Sequence, residues 1–380
     1  MTEKNKLFLY TPQLEVGGYP EACPFNTHRA GQSRATVETM GLLTGDARHE
    51  IEPESLTDGE LASFHTRDYL DFLKRAGTGA LEPEEALWAG LGTPDCPIFE
   101  NMYDYIALAA GGTLTGARRI IRGEAQIAFN PSGGFHHAQS GNAAGFCYIN
   151  DIVFAAKALA EAGMRVLFLD IDVHHCDGVQ DAFHDRRDIM TISLHESGRT
   201  LFPGTGFEDE IGTGDGKGYS VNFPLPVGTY DAAYERVFRE GAMPLIEKFN
   251  PDVVVLELGM DALAGDPLAH LHLTNNTHAY ITEKIMELGR PVLATGGGGY
   301  NVPNTVRGWA LCWSVLCGEH SMHDDLSFGM GGVMLENTDW IGGLRDRVLS
   351  VDGGRHDTID PEIDRVLDCI QRTVFPLHGL

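Results

Sequence analysis

Between Phe168 and Asp177 the chain reads FLDIDVHHCD, a density of carboxylates and imidazoles that packing alone does not require. Asp170, Asp172 and His174 alternate, so an extended backbone would set them on one face, with His175 pointing the other way unless the chain turns there. Aspartate and histidine together suit a zinc ion, and two such ligands so close need a third from elsewhere. Asp261, just past another apolar run, can supply it. Three protein ligands leave one position for water and substrate, the mark of a catalytic rather than a structural site. The Asp-His-Asp set accepts iron(II) as readily as zinc.

Two further groups belong with this one. His136 and His137 follow the Gly133–Gly134 pair, and adjacent imidazoles can take different tasks when each has its own carboxylate; Asp170 and Asp177 are the candidates. Tyr300 follows four glycines, and a tyrosine hydroxyl beside a polarised carbonyl can stabilise a developing oxyanion. A phosphate cradle is the competing idea for that glycine run. It fails because no Lys-Ser/Thr follows and the spacing is not that of a P-loop.

The elements that must position these residues are short apolar, β-branched runs, which read as buried parallel strands: Lys6–Tyr10, Ala125–Asn130, Arg165–Asp170, Ile189–Leu194, Val253–Leu258 and Pro291–Thr295. Helical stretches separate them. Asn150–Ala162 has an asparagine to cap it and Gly163 to stop it; Tyr230–Phe249, Asn276–Leu288 and Asp360–Val374 are similar in pattern. This alternation predicts an α/β fold, a central parallel sheet flanked by helices. In such sheets ligands bind beyond the carboxyl ends of the strands. Four of the expected strands run into reactive sequence there: PSGGFHH, DIDVHHCDG, GMDALAGD and GGGGY. A single domain spanning 1–380 is expected, with a C-terminal appendage from about Gly318 as the alternative; Ser321–Gly354 carries no clear pattern.

Composition narrows the class. Apolar residues make up 43% and charged residues 22%, ordinary for a globular protein. The 28 basic against 54 acidic residues give −26, which excludes a nucleic-acid binder and favours a cationic substrate, or serves solubility alone. Seven cysteines without a CxxC pair fit reduced thiols in the cytoplasm. No secretory h-region and no membrane-length apolar run is present, so no membrane partner is expected; an oligomer is compatible with the sequence.

Taken together these stretches resemble the zinc-dependent histone deacetylase family, most of all its class I members and the bacterial acetoin-utilisation-type enzymes. The resemblance runs from about Cys23 to Trp313 through DCPIF (95–99), GGFHHAQSGNAAGFCYINDI (133–152), FLDIDVHHCDGVQDAF (168–183), TISLH (191–195), LFPGTG (201–206), GMDALAGDPL (259–268) and TGGGGY (295–300), in order and with matching spacing. It implies the arginase/deacetylase fold and removal of acyl groups from lysine amines in proteins or peptides. It assigns zinc to Asp172, His174 and Asp261. His137 with Asp177 becomes the general base and then acid, His136 with Asp170 an electrostatic partner, and Tyr300 the group that polarises the acyl carbonyl. Asp95 would hold the substrate backbone. Gly145, Phe146, Phe202 and Leu268 would line a tunnel for the lysine stem, and Arg29 would stand on an inner channel. Potassium would bind at Asp170, Asp172, His174, Ser193 and Leu194, and again through backbone carbonyls at Phe183, Arg186, Ile189 and Tyr219. Three residues depart from the family pattern: Cys176 where glycine is usual, Met260 beside Asp261, and Pro94 before Asp95. Leu268 and GGFHH favour acyl-lysine over acetylated polyamines. Two rival readings compete: a binuclear ureohydrolase on the same fold, for which the strand ends offer few carboxylates, and an acyl-lysine binder with a dead site.

Overall fold

Each of the six expected runs becomes a strand, and two unexpected ones join them in one eight-stranded sheet. The structure, a computed structural model, describes residues 5–319 and 343–380. The strands are β1 (Lys6–Leu9), β2 (Arg48–Ile51), β3 (Ile127–Asn130), β4 (Val166–Asp170), β5 (Ile189–Glu196), β6 (Ser220–Leu225), β7 (Val253–Glu257) and β8 (Val292–Thr295). Their order is β2-β1-β3-β8-β7-β4-β5-β6, and all neighbours are parallel. The two unforeseen strands lie at the edges. β2 reads RHEI and is partly exposed, so it carries no apolar run. β6 reads SVNFPL, and an edge strand tolerates its Pro224, which has no amide to donate.

Both faces of the sheet are covered. Leu7, Leu9, Ala128 and Phe168 pack with Ile152, Val153 and Leu159 of the helix Asp151–Glu161. Phe8, Phe129, Leu167 and Leu256 face the other way, against Trp309 and Trp313 of the helix Val302–Cys317. That double burial is why the central strands are continuously apolar rather than alternating. Asn150 caps its helix as expected, accepting from the Val153 amide at 3.2 Å, and Gly163 ends it at φ +86°.

Two helices differ from expectation. The stretch after Tyr230 forms Asp231–Val237 and Met243–Phe249 with a π-helical turn, Phe238–Ala242, between them. The C-terminal helix spans Gly353–Thr373 rather than starting at Asp360, because Asp352 caps it by accepting from the Arg355 amide at 2.9 Å. Its Ile359, Ile363, Val366 and Ile370 enter the same core as Trp309. Of the unpatterned stretch Ser321–Gly354, residues 321–342 lie outside the described residues. Among the described residues, no helix is long and apolar enough to cross a membrane.

The register fixes the site's foundation. Asn130 stands opposite Thr295, Thr295 opposite Glu257, Glu257 opposite Asp170, and Asp170 opposite Ser193. Five adjacent strands thus carry a row of polar side chains at their carboxyl ends, where the sequence predicted ligand chemistry.

Candidate active site

Beyond Asp170 the strand ends and the chain bends, yet Asp172 and His174 converge as an extended backbone would place them. His174 Nδ1 lies 3.1 Å from Asp172 Oδ1 and 3.1 Å from Asp261 Oδ2. All three are buried, and their ligand atoms lie within 4.8 Å of one another. Donors each about 2.1 Å from a tetrahedral ion stand roughly 3.4 Å apart, close to this spacing. The carboxylates are further set by backbone: the Gly298 amide donates to Asp172 Oδ2 at 2.7 Å, and the Val173 amide to Asp261 Oδ1 at 3.0 Å. A Cβ at Gly298 would strike the Asp261 carboxylate and come within 2.9 Å of Asp172. The glycine run is therefore required by close approach. Burial and then the Asp172 charge push Asp261 up to about 7. Burial disfavours a charged His174, but its bonds to both aspartates outweigh that and raise it to about 10. Buried carboxylates held this way are costly without a positive centre, and the donor set fits a zinc ion.

The histidine pair behaves asymmetrically. His136 Nδ1 donates to Asp170 Oδ2 at 2.8 Å, and His137 Nδ1 to Asp177 Oδ1 at 2.7 Å. The two Nε2 atoms face each other at 3.0 Å, so one must donate and one accept. Burial opposes charge on His136, but Asp170 and Asp172 outweigh it and raise its pKa to about 9. His137 is driven well below 6.5 by burial and by the neighbouring His136 and His174. His136 is thus the better donor across the Nε2 pair and His137 the acceptor. Their loop is held by Asp151, whose carboxylate accepts from the Gly134 amide at 3.0 Å and the Phe135 amide at 2.7 Å. Sequence reasoning passed over Asp151.

It also passed over Glu257. This side chain is fully buried, with Oε1 3.2 Å from His136 Nδ1 and no hydrogen-bond partner for either oxygen. Burial, then Asp170 and Asp172, push its pKa well above the usual carboxylate range. The available signal was a lone glutamate ending the apolar run VVVLE. The strand ends therefore carry one more carboxylate than was counted, and His136, Asp172 and Glu257 form a second group within ligating distance of one another.

Around this floor, Tyr300 is tilted against Phe146 with ring centroids 5.4 Å apart; its hydroxyl stays protonated because burial and the Asp261 and Asp172 charges push its pKa far up. Phe202 stands edge-on to His137 at 4.9 Å and is 45% exposed. A Cβ on Gly145, at φ +52°, would strike the His137 ring and lie 2.9 Å from Phe202, so only glycine leaves that wall open. Asp95 accepts from the Gly145 amide at 3.2 Å. Leu268 is half-buried, its amide on Asp266 Oδ1 at 2.9 Å. Arg29 donates to the carbonyls of Gly299 at 2.6 Å and Gly297 at 3.1 Å, and lines a narrow cleft with Phe25, Tyr105 and Trp309 behind the site. Cys176 is accommodated at φ −78°, a backbone open to any residue, and burial raises its thiol pKa well up. Met260 is buried against Gly308 behind the site. Asp170 and Ser193 are paired in register, with Leu194 next along β5. Phe183, Arg186, Ile189 and Tyr219 share one corner, tied by Arg186 N to Phe183 O at 2.9 Å and Thr191 N to Tyr219 O at 2.8 Å.

With this geometry in place, comparison with known proteins is decisive. Residues 23–316 match the model of the histone deacetylase domain. The chain belongs to the histone deacetylase family. It is 40% identical to histone deacetylase 8 of Xenopus tropicalis over 291 residues, 76% of this chain and 78% of that one. It is 38% identical to the acetoin utilization protein AcuC of Bacillus subtilis over 328 residues, 84% of each chain. A solved histone deacetylase homolog complexed with SAHA superimposes with a TM-score of 0.83 at 30% identity, covering 96% of this chain and 99% of that one. The homolog from Aquifex aeolicus gives 0.81 at 31% identity, covering 96% and 100%. The fold is that of the arginase/deacetylase type, and the protein is a hydrolase of this zinc-dependent deacetylase family.

Proposed function

We propose that the protein removes acetyl or other short acyl groups from the ε-amine of lysine in proteins or peptides. The carrying observation is the histidine pair, each imidazole bound through Nδ1 to its own carboxylate, beside the converging Asp172, His174 and Asp261. Zinc held by those three residues, or iron(II) in its place, supplies a Lewis acid and a water of lowered pKa. His137 Nε2 then accepts the water proton, with Asp177 fixing its tautomer. His136, held by Asp170, stands beside the attack as an electrostatic partner. The protonated Tyr300 hydroxyl donates to the acyl oxygen as it becomes negative. His137 returns its proton to the departing lysine amine. Phe146, Phe202, Gly145 and Leu268 form the walls for the aliphatic stem, Asp95 holds the substrate backbone, and Arg29 lies on the exit side for acetate.

Potassium belongs to the same reading, at Asp170, Asp172, His174, Ser193 and Leu194 and at Phe183, Arg186, Ile189 and Tyr219. So do a single catalytic domain and a cytoplasmic location, the latter supported by seven free thiols. One observation favours two metals instead: Glu257 beside His136 and Asp172. His136 Nδ1 is already committed to Asp170, which favours one metal. Elemental analysis should return one equivalent per chain. The test of function is a panel of acyl-lysine peptides and acetylated polyamines with and without chelator. Chelator-sensitive turnover of acetyl-lysine peptides is expected; turnover of polyamines alone would transfer the substrate class, and none at all would defeat the reading.

A further inference from the structure

β5 ends in a glutamate that none of this chemistry uses. Glu196 is fully buried, although it lies at the strand's carboxyl end among loops. Its Oε1 accepts from His270 Nδ1 at 3.0 Å and from Thr200 Oγ1 at 3.0 Å. Its Oε2 accepts from the His270 backbone amide at 2.9 Å. Thr200 shares its hydrogen with the Ser197 carbonyl, also at 3.0 Å. One buried carboxylate therefore grips two loops remote in sequence. Thr200 is two residues before Phe202, whose ring faces His137; His270 is two residues after Leu268.

A second carboxylate continues the chain of ties. Asp266 accepts from the Leu268 amide at 2.9 Å through one oxygen, and from the Tyr300 amide at 2.7 Å and the Asn301 amide at 3.2 Å through the other. The loops bearing Phe202, Leu268 and Tyr300 are thus joined in series through Glu196 and Asp266. A surface loop seldom recruits a fully buried charge, because desolvating it is costly unless every bond is made. Here three donors meet it, two of them from His270.

We propose that Glu196 is a positioning residue that sets the spacing of the Phe202 and Leu268 walls, and with it the affinity for an aliphatic stem. The inference rests on the acyl-lysine reading above, but it concerns the walls and not the metal floor. Slackening the walls removes contacts made equally before and during reaction, which raises KM and leaves kcat unchanged.

The test uses zinc-loaded protein and two probes: acetohydroxamate, which reaches only the metal, and a hydroxamate on a six-carbon aliphatic stem, which also fills the walls. Glu196→Gln and the milder His270→Ala are each titrated calorimetrically, with zinc content measured alongside. Both should bind the stem-bearing hydroxamate about fivefold to tenfold more weakly, the scale of a methylene's worth of pocket contact. Both should bind acetohydroxamate as the parent does. For acetyl-lysine peptide, KM should rise by a similar factor and kcat stay within about twofold. Parent-like binding of both probes in His270→Ala overturns the proposal. Equal losses for both probes, or loss of zinc, overturn it as well, since they would place the effect at the metal. A parent protein that binds the stem hydroxamate yet hydrolyses no acyl-lysine peptide sinks the substrate reading and leaves the clamp standing.

Discussion

The floor of the site and its rim are held by different means. On the floor, His136, His137, Asp170, Asp172, His174 and Asp261 are all buried, and each functional atom meets a charged or backbone partner between 2.7 and 3.1 Å away. At the rim, Phe202 is 45% exposed, and Leu268 and Asp95 are half-buried. Their side chains make no such contacts with one another; backbone amides tied to Glu196, Asp266 and Asp95 set where the loops lie. Rigid buried charge suits a reaction that needs protons and a metal at fixed points. Loops carried on a few hydrogen bonds suit selection among substrates, where modest changes in packing decide.

If that division is right, substitutions on the floor should damage chemistry and those at the rim should damage binding. The largest expected effect is from Asp261→Ala, which should lose both metal and turnover, as strong chelation of the parent should; full zinc occupancy by elemental analysis would contradict the ligand assignment. Tyr300→Phe should keep its metal and lose about 10²–10³ in kcat, the usual cost of one oxyanion donor. Parent-like turnover there would remove Tyr300 from the chemistry. Phe202→Ala should be milder, raising KM for acetyl-lysine peptide roughly fivefold with kcat little changed. A kcat loss as deep as that of Tyr300→Phe would erase the contrast between the two regions.

The finest discrimination is a pH profile. The base must be neutral to accept a proton, and burial above all pushes His137 well below 6.5. Its active form therefore persists as pH falls, and the acid limb of kcat/KM should lie below 6.5. A limb near 9 would instead assign the base role to His136, whose carboxylates raise it to about 9.

Much of the floor was legible because its residues sit in short motifs at strand ends, where fold class alone directs ligands. The six apolar strands were legible for the same reason: double burial leaves a continuous hydrophobic run. β2 and β6 were not: β2 is partly exposed and admits Arg48 and Glu50, and β6, though buried, is an edge strand interrupted by Asn222 and Pro224. Glu257 was hidden as the last letter of a buried strand, and only the register that sets it opposite Asp170 gives it meaning. Asp151 was hidden because its partners are 16 or more residues away, and Glu196 because the second loop it holds, at His270, is 74 residues away. The packing of the C-terminal segment was not legible because five buried side chains of Gly353–Thr373 join the main core only once the sheet is formed.

By itself, then, the sequence determined the parallel α/β architecture, the Asp172, His174 and Asp261 set, and the pairing of His136 with Asp170 and His137 with Asp177. These follow from residue type, strand periodicity and the matching motifs. Only the tertiary structure decided how the two imidazoles differ, that Glu257 is buried beside His136, and that Glu196 and Asp266 tie the rim loops together. Protonation depends on burial and on the sum of nearby charges, and loop position depends on hydrogen bonds between remote segments. Both are set by distances that exist only after the chain has folded.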